Sequence, residues 1–411
     1  MNTDFERVNP LSHAANGATA PLTKGSLFYG QCKCFCVVHH FNQGNIGCPR
    51  KGGAGGVSRL RGLNHTERFF LQFFSRYGIL EQMNQKEVLF MEYTAIRKIH
   101  STVSARVAKV IVGKEQVTDL AVITLLCGGH MLLDDVPGTG KTMLAKTFAS
   151  ALSLDFKRVQ CVPDMLPSDL VGVNFFDMKN SEFRFIKGPV FTNVLLADEI
   201  NRAMPKTQSG LLECMEEHQV TVEGETYPLA EPFMVIATQN PVETKGTFEL
   251  PEAQLDRFLV KTSMGYPTHE ESVEILSRKL AAPPVATAGN VSAEDIARAK
   301  AELATVYVHP DLLSYAAAIC EATRVDKTVL LGASPRAMIA LVKVAMGFAA
   351  LEGRDHLLPD DLKSAAIPVL AHRIIFRDSF THRGDQGKSL VKRILEALPV
   401  PSEHINFSLR K

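Results

Sequence analysis

The sequence predicts an α/β domain with a parallel sheet, followed by a smaller all-helical domain. Three observations carry that expectation. Four short β-type runs, at 130–133, 156–159, 194–197 and 233–238, are separated by helical patterns or loops, the alternation of a parallel sheet. The stretch Asp134-Asp135-Val136-Pro137-Gly138-Thr139-Gly140-Lys141-Thr142 joins the first run to a helical pattern carrying Leu144, Ala145, Phe148 and Leu152. After Pro267 the β signal fades and helical patterning takes over.

Taken in order, residues 1–90 differ in texture from the rest. Ten of the 28 glycines lie before Leu63, including Gly52-Gly53-Ala54-Gly55-Gly56, and apolar periodicity is poor. A disordered extension is expected there; a translation start at Met83 or Met91 is the alternative, since both precede well-patterned sequence. Helical spacing begins with Ile96, Ile99, Val103 and Val107. The α/β domain is expected over 91–267 and the helical domain over 268–411. Within the latter, Ser292-Ala293-Glu294-Asp295 reads as a capping box, Pro310 and Pro335 as first-turn prolines, and Gly353 as a helix stop.

Bulk properties narrow the function classes. A length of 411 residues allows two or three domains, and 45% apolar with 22% charged residues is ordinary for a globular chain. The net charge of +1 argues against a strong bias toward nucleic acid or anionic membranes. No apolar run reaches the ~18 residues of a membrane span, and residues 1–10 lack the charged and apolar regions of a secretion signal. A cytoplasmic location is the expectation. Cys127, Cys161, Cys214 and Cys320 lie in apolar or helical surroundings and read as small buried hydrophobes. Cys32, Cys34, Cys36 and Cys48 cluster near His39 and His40, but their C-x-C-x-C spacing is not the C-x₂-C knuckle of a zinc site.

Strand, glycine-rich turn, Lys-Thr and helix form the context that makes a phosphate-loop match meaningful. The turn's N–H groups can cradle anionic oxygens at a helix N-terminus. Lys141 can reach terminal phosphates, and the Thr142 hydroxyl can join a Mg²⁺ shell. One position departs from the pattern: Asp135 stands where glycine is usual. A carboxylate aimed into a phosphate site would repel it, so the Asp135 side chain is expected to face away.

Hydrolysis needs more than a phosphate loop. Val194-Leu195-Leu196-Ala197-Asp198-Glu199 is an apolar strand delivering two carboxylates to the crevice where α/β sheets bind ligands. Asp198 is expected to hold the Mg²⁺ shell and Glu199 to polarise water. Taken alone, such a pair is a common solvated strand end; about fifty residues after a phosphate loop, it reads as Walker B. The strand at 233–238 ends in Gln239-Asn240, where Asn240 can bond the γ-phosphate or the lytic water without adding negative charge. Arg257 follows a short helical segment, and Arg336 lies in the first turn of another helix. A guanidinium stabilises charge on a transferred phosphoryl group. Only the order of motifs lifts either arginine above a surface ion pair.

That order resembles the AAA+ ATPases, and the flanking phrases narrow the resemblance to the MoxR family. The matching phrases are 129–133, 134–142, Asp164-Met165-Leu166-Pro167-Ser168-Asp169, Gly188-Pro189-Val190, 196–202, 211–217, 237–241 and 250–258. The likeness runs from about Val112 to the C-terminus, roughly three-quarters of the chain, and the phrases are highly specific as a set. The resemblance implies an AAA+ P-loop core with a helical lid, ATP and Mg²⁺ as cofactors, and a ring, typically a hexamer. It implies that Pro137, Gly138, Thr139, Gly140 and Lys141 hold the phosphates and that Val112 and Gly113 pack on adenine. By the same resemblance, Arg257 is the finger given to a neighbouring subunit and Arg336 is the lid's sensor. An insert at 174–187 and a hairpin at 219–232 would act on a protein client. A separate chain with a von Willebrand A domain is a further expected partner, since no Asp-x-Ser-x-Ser motif occurs here.

The leading expectation is thus Mg-dependent ATP hydrolysis coupled to remodelling or maturation of a protein client. Two other readings stay open: a nucleic-acid motor or metal-chelatase subunit on the same core, and a nucleotide-gated scaffold with little turnover. Glu223, Glu225 and Glu231 on the hairpin argue against the nucleic-acid motor.

Overall fold

The four expected strands pair side by side, and a fifth joins them. In the computed structural model, which describes residues 93–240, 246–280, 291–377 and 383–401, β1 (Met131–Asp134) follows two helices, α1 (Thr94–Val110) and α2 (Glu115–Leu126). It leads into α3 (Lys141–Ala151), β2 (Phe156–Gln160), the short α4 (Pro167–Val171) and a hairpin, β3 (Gly172–Asp177) with β4 (Glu182–Lys187). Then come β5 (Val194–Asp198), α5 (Pro205–Glu217), a second hairpin of β6 (Gln219–Val222) and β7 (Glu225–Pro228), and β8 (Met234–Gln239). After α6 (Glu252–Leu255), the short β9 (Val260–Thr262) closes the sheet in the order β2-β5-β8-β1-β9, every pairing parallel. All described residues belong to one compact unit, Met91–Ile405. The readings made for residues 1–90, including the Cys32, Cys34, Cys36 and Cys48 cluster, lie outside the described residues.

Burial on both faces explains why the central strands are continuous apolar runs. Because side chains alternate along a strand, Val194, Leu196, Met234 and Ile236 enter the core shared with α1, α2 and α3, where Phe148 and Leu144 meet them. Leu195, Ala197, Val235 and Ala237 point the other way, into the core with Leu211, Leu212 and Met215 of α5. Cys161, Cys214 and Cys320 are buried and Cys127 half-buried, all as free thiols. Burial pushes Cys127, Cys161 and Cys214 up to about 12 and Cys320 to about 11, so they act as apolar groups, as expected.

The C-terminal helices are α7 (His269–Leu280), α8 (Ala293–Leu303), α9 (Pro310–Val325), α10 (Pro335–Leu351), α11 (Pro359–Leu370) and α12 (Arg383–Ala397). The expected caps are present. Ser292 Oγ accepts from Asp295 N at 3.1 Å while Ser292 N donates to Asp295 Oδ2 at 3.0 Å, Ser334 Oγ accepts from Ala337 N at 3.1 Å, and Gly353 takes φ 76°. One feature departs from an all-helical region: β10 (Val329–Leu331) pairs antiparallel with β11 (Ile375–Phe376). Two or three residues of strand, joined across a long separation, leave no periodicity to read. No described helix is long and apolar enough to cross a membrane.

Two long-range polar contacts hold this arrangement. No side chain of its own segment caps α1; the buried Glu302 carboxylate on α8 does so instead, accepting from Ala95 N at 3.1 Å and Ile96 N at 3.0 Å. Replacing Glu302 with Ala is expected to lower the unfolding free energy by about 2–4 kcal/mol, with Gln costing less because one amide oxygen still accepts. Chemical denaturation reads this, and a loss below about 1 kcal/mol would show that the contact contributes little.

The second contact is His130, just ahead of β1. Its Nε2–H donates to Met215 O at 2.9 Å and its Nδ1 accepts from Val235 N at 3.0 Å, which fixes a neutral tautomer. Burial pushes His130 down to about 4, and burial beside Arg373 also holds His372 well below its ordinary value. Both lowered values mean that the unfolded chain binds more protons than the fold as pH drops below ~6.5. Stability should therefore fall between pH 6.5 and 4, by roughly 3 kcal/mol from His130. Denaturation midpoints from pH 8 to 4.5 check this, with His130→Gln, which retains a donor and an acceptor, giving a flatter profile. Equal slopes in the two proteins would refute the assignment.

Candidate functional site

Three strands end at one edge, and the expected site residues gather there. β8 lies between β5 and β1, pairing Ala197 with Ala237 and Asp134 with Gln239. The phosphate-loop candidate, Asp198-Glu199 and Asn240 therefore share the C-terminal edge of the sheet. Between β1 and α3 the loop runs through Pro137 and Thr139, with Gly138 and Gly140 at φ 86° and 90°. A Cβ at Gly138 would meet nothing within 4 Å, so the requirement there is conformational. The N-cap position of α3 is Gly140, which has no side chain to cap the helix, so its first N–H groups can receive an anion. Lys141 Nζ lies across its own loop, donating to Asp135 O at 2.8 Å and Val136 O at 3.2 Å.

Asp198 is the hub of the edge. Its Oδ1 accepts from Thr238 Oγ1 at 2.6 Å. Its Oδ2 lies 3.5 Å from Thr142 Oγ1 and accepts from Arg158 Nε at 3.1 Å and Nη2 at 2.7 Å. The residue is 7% exposed, a buried charge that is fully partnered. Glu199 stands in the left-handed region, φ 57° and ψ 51°, a backbone that costs a non-glycine residue about 1 kcal/mol or more. Its N–H donates to Thr238 Oγ1 at 2.9 Å, and its Oε2 accepts from Gln160 Nε2 at 2.9 Å beside Arg202 Nε at 3.0 Å. Asn240, 8% exposed, follows β8 on the same edge.

The donors present fit a magnesium ion better than a protein-made metal cage. No cluster of three or more His, Cys, Asp or Glu suited to a metal occurs among the described residues. The Thr142 hydroxyl and the Asp198 carboxylate, converging beside the glycine turn before α3, are a hard-oxygen set of the kind from which Mg²⁺ is held with phosphates and water.

Asp135 behaves as expected. Its side chain does face away from the loop interior, accepting from Met264 N at 3.0 Å. Its backbone does not take the left-handed region, so the position makes no demand for glycine's freedom. Val112 and Gly113 (φ 67°) line a cavity of about 150 Å³ with Val107, Ile111 and Arg278.

Arg257 and Arg336 come together, but not at this loop. Arg257 Nη2 lies 3.0 Å from Glu216 Oε2, and Arg336 Nη2 lies 2.8 Å from Glu216 Oε1. Glu216 sits in the last turn of α5, which begins just past the C-terminal end of β5 and runs back along the sheet. Met215 O bonds to His130, the residue before β1. The two arginines therefore occupy the N-terminal edge, a full strand length (about 13 Å) from the Lys141 edge.

Residues 130–260 match the model of the ATPase family associated with various cellular activities (AAA), and residues 321–394 match that of the AAA lid domain. The chain is 39% identical over 304 residues to Chaperone MoxR1 of Mycobacterium tuberculosis, covering 72% of this chain and 80% of that protein. It belongs to the MoxR family of AAA+ ATPases. Protein MoxR of Methylorubrum extorquens is 30% identical over 325 residues, 93% of its length, and the uncharacterized YeaC of Bacillus subtilis is 46% identical over 294 residues, 92% of its length. The crystal structure of a Cytophaga hutchinsonii protein assigned as an ATPase superposes with a TM-score of 0.69 at 37% identity, covering 76% of this chain and 97% of that one. The AAA match spans the loop, Asp198, Glu199, Asn240 and Arg257; Arg336 falls in the lid match, and Val112 and Gly113 precede both.

Three residues that contact Asp198 or Glu199 were given no role by the sequence: Arg158, Gln160 and Thr238. Thr238 was legible in principle, as a hydroxyl on the strand beside Asp198. Arg158 and Gln160 were not, because only the β2–β5 register, Gln160 opposite Asp198, brings them to the carboxylates.

Proposed function

We propose that the chain hydrolyses ATP with Mg²⁺ and couples the cycle to remodelling or maturation of a protein client. The observation that carries this reading is the approach of the Thr142 hydroxyl to Asp198, 3.5 Å apart at the uncapped end of α3, with Glu199 next in sequence. The loop from Pro137 to Gly140 and Lys141 bind the phosphates, and Val112 and Gly113 hold the adenine. Thr142 and Asp198 hold Mg²⁺, which when bound neutralises charge on the phosphate oxygens. Glu199 orients and deprotonates water once it leaves Gln160 and Arg202. Asn240 bonds the γ-phosphate or that water.

The placement of Arg257 and Arg336 beside Glu216 favours a ring. Neither reaches its own chain's loop, so both serve the nucleotide of an adjacent subunit, and a hexamer is the arrangement we favour. The hairpins β3–β4 and β6–β7 work together on the client: Asn174 Nδ2 donates to Glu223 Oε2 at 2.7 Å, and Phe185 stacks on Tyr227 at 4.2 Å. One relative is named a chaperone, which supports the client reading. A cytoplasmic location, a nucleotide-binding core over 91–267, a lid over 268–411 and a separate von Willebrand A partner complete the proposal.

Replacing Glu199 with Gln is expected to preserve ATP binding while lowering turnover about a hundredfold or more; phosphate release and nucleotide-binding assays read the two separately. Turnover retained in that variant would remove Glu199 from the role of base. For the arginines, subunits carrying Lys141→Ala are mixed with subunits carrying Arg257→Ala and Arg336→Ala. If the arginines act on a neighbour, about a quarter of junctions in an equal mixture pair an intact loop with intact arginines, and activity reappears in proportion. An inactive mixture would place the arginines' action within their own chain.

A further inference from the structure

Asp135 opens the phosphate loop where glycine is usual, and the reading of that loop as an ATP site leaves its side chain without a task. The side chain is nonetheless fully engaged. It is 5% exposed; Oδ1 accepts from Val136 N at 2.8 Å, and Oδ2 accepts from Met264 N at 3.0 Å and Gly265 N at 3.2 Å. Its main chain is held as well, with N donating to Gln239 O at 3.1 Å and O accepting from Lys141 Nζ at 2.8 Å. One residue thus joins the loop lysine, the end of β8 and the backbone leaving β9.

That backbone leads to the purine side of the site. Tyr266 O is 3.5 Å from Lys114 Nζ, and Lys114 pairs with Glu271 of α7 at 3.6 Å. Glu271 in turn lies against Gly113, where an added Cβ would overlap its carboxylate. A run of direct contacts therefore links Lys141 to Gly113 through Asp135, residues 264–266, Lys114 and Glu271. Glycine at 135 would supply none of the three carboxylate bonds, and it would leave the buried Met264 N–H without its partner.

We infer that Asp135 is a positioning residue, a clamp that fixes the start of the phosphate loop to residues 264–265 and so couples the phosphate end of the site to the segment at 112–113. The inference rests on the ATP-site reading above. When Lys141 turns from Asp135 O toward a phosphate, the loop gives up an internal tie. The carboxylate contacts do not involve Lys141 and persist, keeping the loop in register with the rest of the site. Without the clamp, the competent loop geometry is only a fraction of the population, and apparent affinity falls by that fraction.

The test uses the full chain and its Asp135→Gly and Asp135→Asn variants, with ATP affinity, steady-state kinetics and amide hydrogen exchange as readouts. Asp135→Gly is expected to weaken ATP binding about tenfold while turnover at saturating ATP falls about threefold or less. The Met264 and Gly265 amides should exchange about tenfold faster, and ATP should no longer slow them. Asn, with one accepting oxygen, should fall between, and it decides the question if the Gly variant does not fold. Unchanged affinity, or unchanged exchange at 264–265, in a variant of a natural chain that binds ATP would overturn the clamp alone. A natural chain that binds no ATP would instead sink the nucleotide-site reading.

Discussion

The pairing of β8 with both β1 and β5 is the constraint on which the rest of the molecule depends. Parallel strands carry their C-terminal ends to one side, so a loop after β1, two carboxylates at the end of β5 and an amide after β8 must meet. Helix packing on both faces stabilises that order. Alternate residues of β5 and β8 enter two different cores, and a slip of one residue would exchange every side chain between them. The site's geometry follows from the sheet's register, and the register follows from apolar burial.

The buried carboxylates of this edge are partnered. Asp198 is nearly buried yet takes bonds from Thr238 and Arg158 and lies near Thr142, while Glu199 adopts a strained backbone that Thr238 secures from the neighbouring strand. Such strain persists where surrounding contacts overdetermine it, and it accumulates at working sites. Asp135 obeys the same rule from the other side of the loop. It departs from the loop pattern without cost, because its backbone needs no left-handed freedom and its carboxylate has three N–H partners.

The two edges of the sheet carry different duties. The C-terminal edge gathers hydroxyl, carboxylate and ammonium groups; the N-terminal edge gathers Arg257, Arg336 and Glu216. Contacts from the helical region reach the latter edge directly. Arg373 bonds Phe258 O at 2.8 Å and pairs with Asp256 at 2.8 Å, gripping the residues on either side of Arg257. The orientation of Arg257 is thus tied to the helical region as well as to the sheet.

Much of this was legible in the chain. The long apolar runs, the glycine turn before Lys141-Thr142, the Ser292 capping box and the Asp198-Glu199 pair are local signals, each decided by neighbours within a few residues. β9, β10 and β11 were not legible, since two or three residues carry no period and form strands only beside partners distant in sequence. The same reason hid Arg158 and Gln160, which reach the carboxylates through strand register, and Glu302, which caps a helix about two hundred residues away. By itself the sequence determined which groups are available for phosphate and metal chemistry, and in what order. Only the tertiary structure decided that Arg257 and Arg336 share one carboxylate far from Lys141, and that Asp135 clamps the loop it begins, because both depend on contacts between segments that no local pattern relates.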